Sequence, residues 1–311
     1  MAEEHATREV TITRIFDAPR ELVFAMWTQA EHLAKWWGPE GFTVPSIDSD
    51  PRPGGVLSIV MRGPDGVDYP QTGTFEEVAP HERLVFREVA LGPEGQPILD
   101  ALTTVLFADR DGTTEVTMHA RGIALTADAV PMLGGMQAGW NQSLQCLDDV
   151  LTGAVDRQIV LMRMFEAPRE RVFEAWTTRE HVEKWFGPAG FSLTIDEMDV
   201  RPGGTWRFTM HGPDGVDYQD LIVYEEITPA ERLVYTHSSL DTDDPPFRTT
   251  VTFDDFMGMT VLTMRGVFDT AEARDLVIEK HGAVEGGNQT LDRLGELLGA
   301  MAPAEDAHDL A

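Results

Sequence analysis

Residues 9–16 alternate between polar and apolar positions, the period of a strand with one buried face. Ala18-Pro19 then opens a helix, because a proline at the first helical position forgoes no hydrogen bond, and Leu22, Val23, Met26 and Trp27 recur at helical spacing. A second short helix is predicted over residues 30–37, stopped by Gly38-Pro39. Period two returns between residues 41 and 121, with Leu57, Ile59 and Met61 on one strand face, Val105 and Phe107 on another, and Val116 and Met118 on the last. Turns at Arg52-Pro-Gly-Gly, Pro64-Asp-Gly and Asp109-Arg-Asp-Gly separate these strands. A long helix over residues 127–151 follows, with Val130, Leu133, Met136, Trp140, Leu144, Leu147 and Leu151 along one face. The order predicts an α+β unit: one strand, two short helices, six more antiparallel strands, and a curved sheet gripping its final helix.

The whole pattern then repeats. Arg14-Ile-Phe-Asp-Ala-Pro-Arg-Glu-Leu-Val-Phe24 returns 149 positions later as Arg163-Met-Phe-Glu-Ala-Pro-Arg-Glu-Arg-Val-Phe173, and the same offset relates Trp27-Thr28, Lys35-Trp36, Arg52-Pro-Gly-Gly and Gly63-Pro-Asp-Gly-Val-Asp-Tyr69 to their second copies. Further on the offset slips, so that Val105 and Phe107 align with Val251 and Phe253, and Asn141-Gln142 with Asn288-Gln289, as loop-length changes produce. Two domains are therefore expected, residues 1–152 and 157–300, followed by a flexible acidic tail over 301–311. The connection near Gly153-Ala154-Val155-Asp156 is short enough that the two domains are expected to pack against each other.

Ala-Pro-Arg-Glu followed by Val-Phe and Trp-Thr, then Gly-Pro, Arg-Pro-Gly-Gly, Gly-Pro-Asp-Gly, Pro-x-Glu-Arg-Leu-Val, and a last helix with Gly-Trp-Asn-Gln-Ser-Leu form a combination that covers nearly all of both copies. It resembles the Hsp90-ATPase-activator-like (AHSA1) branch of the START-like (SRPBCC) superfamily. That resemblance implies two tandem helix-grip domains, each with a cavity between sheet and final helix for a small, largely apolar molecule. The inward-facing residues expected to line it are Leu57, Ile59, Met61, Phe86, Phe107, Met118, Met136 and Trp140 in the first copy. In the second they are Trp206, Phe208, Met210, Tyr235, Phe253 and Met264. Asn141 and Asn288 either present an amide to a ligand oxygen or bond a neighbouring strand. Trp206 and Phe208 are bulkier than Leu57 and Ile59, and Gly287 stands where the first copy has Trp140. The added volume is expected to occlude the second cavity in part, and if only one domain binds, the first is expected to be the binder.

Composition narrows the partners. A formal net charge of -29 repels phosphate backbones, which argues against nucleic acid and anionic membrane surfaces. The single cysteine, Cys146, excludes an intrachain disulfide and a Cys-rich zinc site and suits a reducing cytoplasm. No apolar run approaches the length of a membrane span, and residues 1–8 lack the apolar core of a signal peptide. A cytoplasmic protein without cofactor or metal is expected. Fourteen methionines, several on the inward faces, suit either an adaptable pocket or an ordinary core.

Catalytic candidates are sparse. Cys146 lies among helix leucines, where an inert buried thiol is expected. His32 and His181 occupy matching positions on what reads as the solvent face of a short helix, whereas His119, His211 and His237 stand in strands, where the interior is open to any of them. Arg52 and Arg201 are expected to pair with a carboxylate inside the fold rather than to meet an anionic ligand. The repeated Gly-Pro-Asp-Gly segments read as hairpin tips. Non-catalytic carriage or sensing of an apolar molecule is the reading favoured. A cyclase- or hydrolase-like enzyme is the alternative, and it requires a charged residue inside the cavity with a strongly shifted pKa. A co-chaperone role is the third, although eukaryotic activators of that name carry an additional amino-terminal domain that this chain is expected to lack.

Overall fold

The computed structural model describes residues 5–301 of the chain, which form two units divided between Ala154 and Val155. The acidic tail expected from residue 301 lies, beyond its first residue, outside the described part. The first unit runs β1 (Thr7–Phe16), α1 (Arg20–Met26), α2 (Ala30–Leu33), β2 (Thr43–Ser49), β3 (Val56–Arg62), β4 (Asp68–Ala79), β5 (Arg83–Leu91), β6 (Pro97–Arg110), β7 (Thr113–Ala124), α3 (Val130–Gly134) and α4 (Met136–Thr152). The second repeats the plan as β8 (Gln158–Phe165), α5 (Arg169–Thr177), α6 (Arg179–Trp185), β9 (Ser192–Met198), β10 (Thr205–His211), β11 (Asp217–Thr228), β12 (Arg232–Ser239), β13 (Phe247–Phe256), β14 (Met259–Val267), α7 (Ala271–His281) and α8 (Ala283–Met301). Each unit is a seven-stranded antiparallel sheet, ordered β1-β7-β6-β5-β4-β3-β2 and β8-β14-β13-β12-β11-β10-β9. The expected helix-grip architecture is thus present twice.

Strand alternation puts one apolar face of each sheet under the final helix. In the first unit Ile12, Leu57, Ile59, Phe75, Leu84, Phe86, Val105, Phe107, Val116 and Met118 meet Leu144 and Leu147 of α4 in one core. In the second, Leu161, Trp206, Phe208, Tyr224, Tyr235, Val251 and Phe253 meet Leu291, Leu294 and Leu298 of α8. Motifs that recur in the sequence are structural devices here. Arg14 reaches from β1 to Gln145 of α4, and Arg163 from β8 to Asp292 of α8, so the same arginine ties first strand to last helix in both units. Trp36 donates its indole N–H to the Met26 carbonyl and Trp185 to that of Ala175, both at 2.9 Å. The Arg-Pro-Gly-Gly turns need their last glycine, because a Cβ on Gly55 would lie 2.0 Å from the Asp50 carbonyl oxygen and one on Gly204 2.1 Å from that of Asp199.

The Ala-Pro pair ahead of each first helix is also pinned. The hydroxyl of Thr114 donates to the Ala18 carbonyl at 2.7 Å, and that of Thr260 to the Ala167 carbonyl at 2.6 Å, with both threonines fully buried. Thr114→Val and Thr260→Val keep the shape and remove the donor, leaving a carbonyl without that bond. Each is expected to cost about 1–3 kcal/mol, read as a lowered melting temperature in thermal denaturation.

Three local expectations need correction. Pro19 and Pro168 are the extended caps of α1 and α5 rather than their first helical residues, with ψ of 146° and 145°; Leu22 on α1 is exposed. The helix expected over 30–37 ends at Leu33, because Lys35 and Trp36 bond back to His32 and Leu33 and tighten the chain into turns. The long final helix is broken in each unit, at Gly134-Gly135 and at Gly282, whose φ is +59°. Val130 is consequently exposed, and Leu133 joins a small separate cluster with Ala124 and Ala129.

Candidate ligand site

The residues expected to line a cavity all reach the inner cores. In the first unit β3 supplies Leu57, Ile59 and Met61, β5 Phe86, β6 Phe107, β7 Met118, and α4 Met136 and Trp140. Trp140 stacks on Trp27 with ring centroids 6.1 Å apart and meets Trp37 edge-on at 5.6 Å, joining the final helix to the aromatic cluster of the two short helices. In the second unit Trp206, Phe208, Met210, Tyr235, Phe253 and Met264 lie together, with Trp206 and Phe208 at 4.5 Å. Asn141 and Asn288 both take part in bonds on or beside the final helices. Asn141 accepts a long 3.5 Å bond from Gln137, while Asn288 donates to the Val284 carbonyl and accepts from Arg163 of β8.

The interior of the first unit also holds a carboxyl group that the sequence reading missed. Glu88 sits on the parity of Leu84, Phe86 and Ala90 in β5, so its side chain enters the core and is 7% exposed. That parity was the available signal. Its Oε1 is buried without a protein partner, and desolvation pushes its pKa up to about 8. On the adjoining strand, Gly73 pairs with Glu88 and Gln71 with Ala90, which places Gln71 diagonally beside Glu88 on the same face. Gln71 likewise keeps a buried Oε1 without a protein partner, and in the aromatic cluster the indole N–H of Trp27 has none either.

The second unit resolves the same positions differently. At the 149-residue offset Asp220 replaces Gln71 and His237 replaces Glu88, and His237 Nε2 stands 3.3 Å from Asp220 Oδ1. His237 is thus the one strand histidine among the three candidates that faces the interior. Phe247, whose ring centroid is 5.0 Å from that of His237, pairs with it in the register that sets Ala101 against Glu88. Phe247 stacks on Phe268 at 4.7 Å, where the first unit has Ala101 and Gly122, and Ile222 fills the place of Gly73. A Cβ on Gly73 would lie 1.9 Å from the Arg87 carbonyl oxygen, so that position cannot carry a filling side chain. On the Gly122 side Leu133 and Met136 come close, at 2.7 and 3.0 Å from a Cβ placed there. Opposite Trp140, Gly287 lets α8 settle on the sheet, since a Cβ on it would lie 2.3 Å from Leu161 Cδ1. The small wall residues beside Glu88 are Gly73 and Ala101; their counterparts beside His237 are Ile222 and Phe247.

Other candidates fall outside these interiors. His119 is half-exposed beside Glu9. His211 bridges Thr194 at 2.9 Å and Asp217 at 2.6 Å, the atoms of a hydroxyl–imidazole–carboxylate relay, but all three belong to the outward parity of β9, β10 and β11 and tie the hairpins across their solvent side. His32 and His181 are not on a solvent face: both are partly buried, and each holds its Nδ1 in the protein without a partner. Cys146 is partly exposed, with its Sγ 3.9 Å from Glu40 Oε2. Arg52 pairs with Asp50 at 2.7 Å and Arg201 with Asp199 at 2.8 Å, at the surface rather than inside the fold, because both carboxylates belong to the turn itself. The Gly-Pro-Asp-Gly segments are hairpin tips, with Asp65 and Asp214 accepting from the amides of Val67 and Val216.

Among the described residues no helix is long and apolar enough to cross a membrane. Residues 17–152 and again 166–299 match the family described as Activator of Hsp90 ATPase homolog 1-like protein. No curated protein matches the chain. Among solved structures, a protein from Chromobacterium violaceum is 28% identical with a TM-score of 0.40, over 45% of this chain and 96% of that one. A Mycobacterium smegmatis protein is 25% identical with a TM-score of 0.44, over 50% and 95%. The AHSA1 protein from Silicibacter pomeroyi is 24% identical with a TM-score of 0.40, over 47% and 98%.

Proposed function

Because the chain belongs, in both halves, to the family of Activator of Hsp90 ATPase homolog 1-like proteins, we propose that it binds a small, largely apolar molecule in the interior of its first unit and carries or senses it without chemistry. The observation that supports this reading is the set of buried polar atoms at Glu88, Gln71 and Trp27, which have no protein partners inside an otherwise apolar core. Native interiors pair such atoms with few exceptions, and each exception calls for a water or a guest. The second unit pairs the equivalent positions itself, with His237 against Asp220 and with Phe247 and Phe268 in the corresponding space, while its own buried atoms without a protein partner, Trp206 Nε1 and the Tyr224 hydroxyl among them, lie elsewhere in the core.

Native mass spectrometry of the full chain tests the proposal. A mass excess of one small molecule per chain, or thermal stabilisation of the first unit by an apolar compound, is the expected result; absence of both across a panel of apolar compounds would overturn it. A cytoplasmic location, expected from the lone cysteine, belongs to the same proposal.

Glu88 also favours a second reading, a cyclase- or hydrolase-like enzyme. A carboxyl with a pKa of about 8 holds its proton at neutral pH and is able to act as a general acid toward a reactive apolar substrate. Turnover of such a substrate, abolished in Glu88→Gln, would replace carriage by catalysis.

A further inference from the structure

The duplicated position that carries Glu88 in one unit and His237 in the other constrains what can enter the first. In the second unit His237 Nε2 faces Asp220 Oδ1 at 3.3 Å, so the interior provides both a ring nitrogen and an acceptor for one polar contact. In the first unit the corresponding diagonal pair is Glu88 and Gln71, and each leaves an Oε1 buried without a protein partner. Two acceptor oxygens stand where the other copy has a matched pair. A buried acceptor left unmade is costly, and a molecule that brings N–H groups relieves both at once.

We infer that the guest of the first unit is an apolar molecule bearing an amine, whose N–H groups bond Glu88 Oε1 and Gln71 Oε1 while its hydrocarbon part lies beside Gly73 and Ala101 and against Phe86. This rests on the binding reading above. An amine suits the pair better than a hydroxyl. Its ammonium form carries three donors, enough to serve two acceptors, whereas a hydroxyl carries one. Brought beside Glu88, the ammonium favours the ionised carboxylate over the protonated form that burial alone favours, and the bond is then charge-assisted and about twice as strong as a neutral one. The chain's net charge of -29 draws cations towards the protein and repels carboxylates. The second unit has no use for such a guest, since its own imidazole occupies the corresponding place and Phe247 takes the space beside it.

The test compares three probes that share one ring system: naphthylmethylamine, naphthylmethanol and naphthoate, titrated calorimetrically into the full chain at neutral pH. The titrations are repeated at high salt to suppress attraction to the acidic surface. The amine is expected to bind about tenfold or more tighter than the alcohol, and naphthoate weakest, with the order kept at high salt. In Glu88→Gln the amine-to-alcohol ratio is expected to fall to about one, and Gln71→Leu to lower it by a smaller factor. Both variants are checked for native circular dichroism, and either one alone suffices for the comparison. Equal affinity of amine and alcohol in the native chain, or a ratio unchanged by both substitutions, would overturn the inference and leave the binding reading standing, with an ordered water serving the two oxygens. Binding of none of the three probes would overturn the inference, and the binding reading falls with it only if native mass spectrometry of the full chain also shows no bound molecule and the wider panel of apolar compounds gives no stabilisation.

Discussion

Replacing Glu88 by leucine is expected to make the first unit markedly more stable at pH 8, and replacing it by glutamine to flatten the dependence of its stability on pH. The carboxyl keeps its ordinary value of 4.5 in the unfolded chain and is pushed up to about 8 when folded, by desolvation. Below pH 4.5 both states hold the proton, and this group's contribution to stability is fully present. Between 4.5 and 8 the unfolded chain releases a proton that the folded chain keeps, so stability falls by about 1.4 kcal/mol per pH unit, and above 8 the slope disappears. The total loss across the window is on the order of several kcal/mol, a large share of a domain's margin. Urea denaturation from pH 4.5 to 9, with amide exchange in β5 as the local probe, reads it directly. An unchanged slope in Glu88→Gln would mean that the carboxyl is solvated in solution.

Ala101→Phe is the second substitution with a large expected effect. It puts into β6 the residue that β13 carries as Phe247, opposite the buried polar side chain in the same register. If the first interior has room for a guest, the ring occupies that room. Affinity for an apolar probe is then expected to drop by about a hundredfold or more, which corresponds to roughly 2.7 kcal/mol, while the melting temperature holds. If the interior is packed to native density, the same ring overpacks it and costs about 1–3 kcal/mol. Thermal denaturation alongside a probe titration separates the two outcomes.

The duplicated architecture was legible because it rests on short-range signals: period two in the strands, turn residues between them, and a motif string repeated at a fixed offset. The inner wall followed from the same alternation, which is why Leu57, Ile59, Phe86, Phe107, Trp206, Phe208, Tyr235 and Phe253 all reached the cores. Glu88 is harder to read, although parity places it inside: a carboxylate next to Arg87 carries a surface signal, and only burial by neighbouring strands makes it an acid held protonated. His32 and His181 failed for the opposite reason. Charged neighbours on the helix suggested solvent, yet these short helices leave the two rings partly covered. The breaks at Gly134-Gly135 and Gly282 depend on how each helix turns away from the sheet, and an uninterrupted apolar face conceals that turn.

The antiparallel partnership of β1 with β7, and of β8 with β14, bears on how the chain acquires its shape during synthesis. Phe16 must wait for Thr114 and Thr7 for Ile123, so neither sheet is complete until its own last strand has left the ribosome. Such distant partners make for slow folding. Yet every such pairing closes within one copy, so the earlier-made half can finish before the later one emerges, and tandem duplication doubled the protein without lengthening the search either half must make.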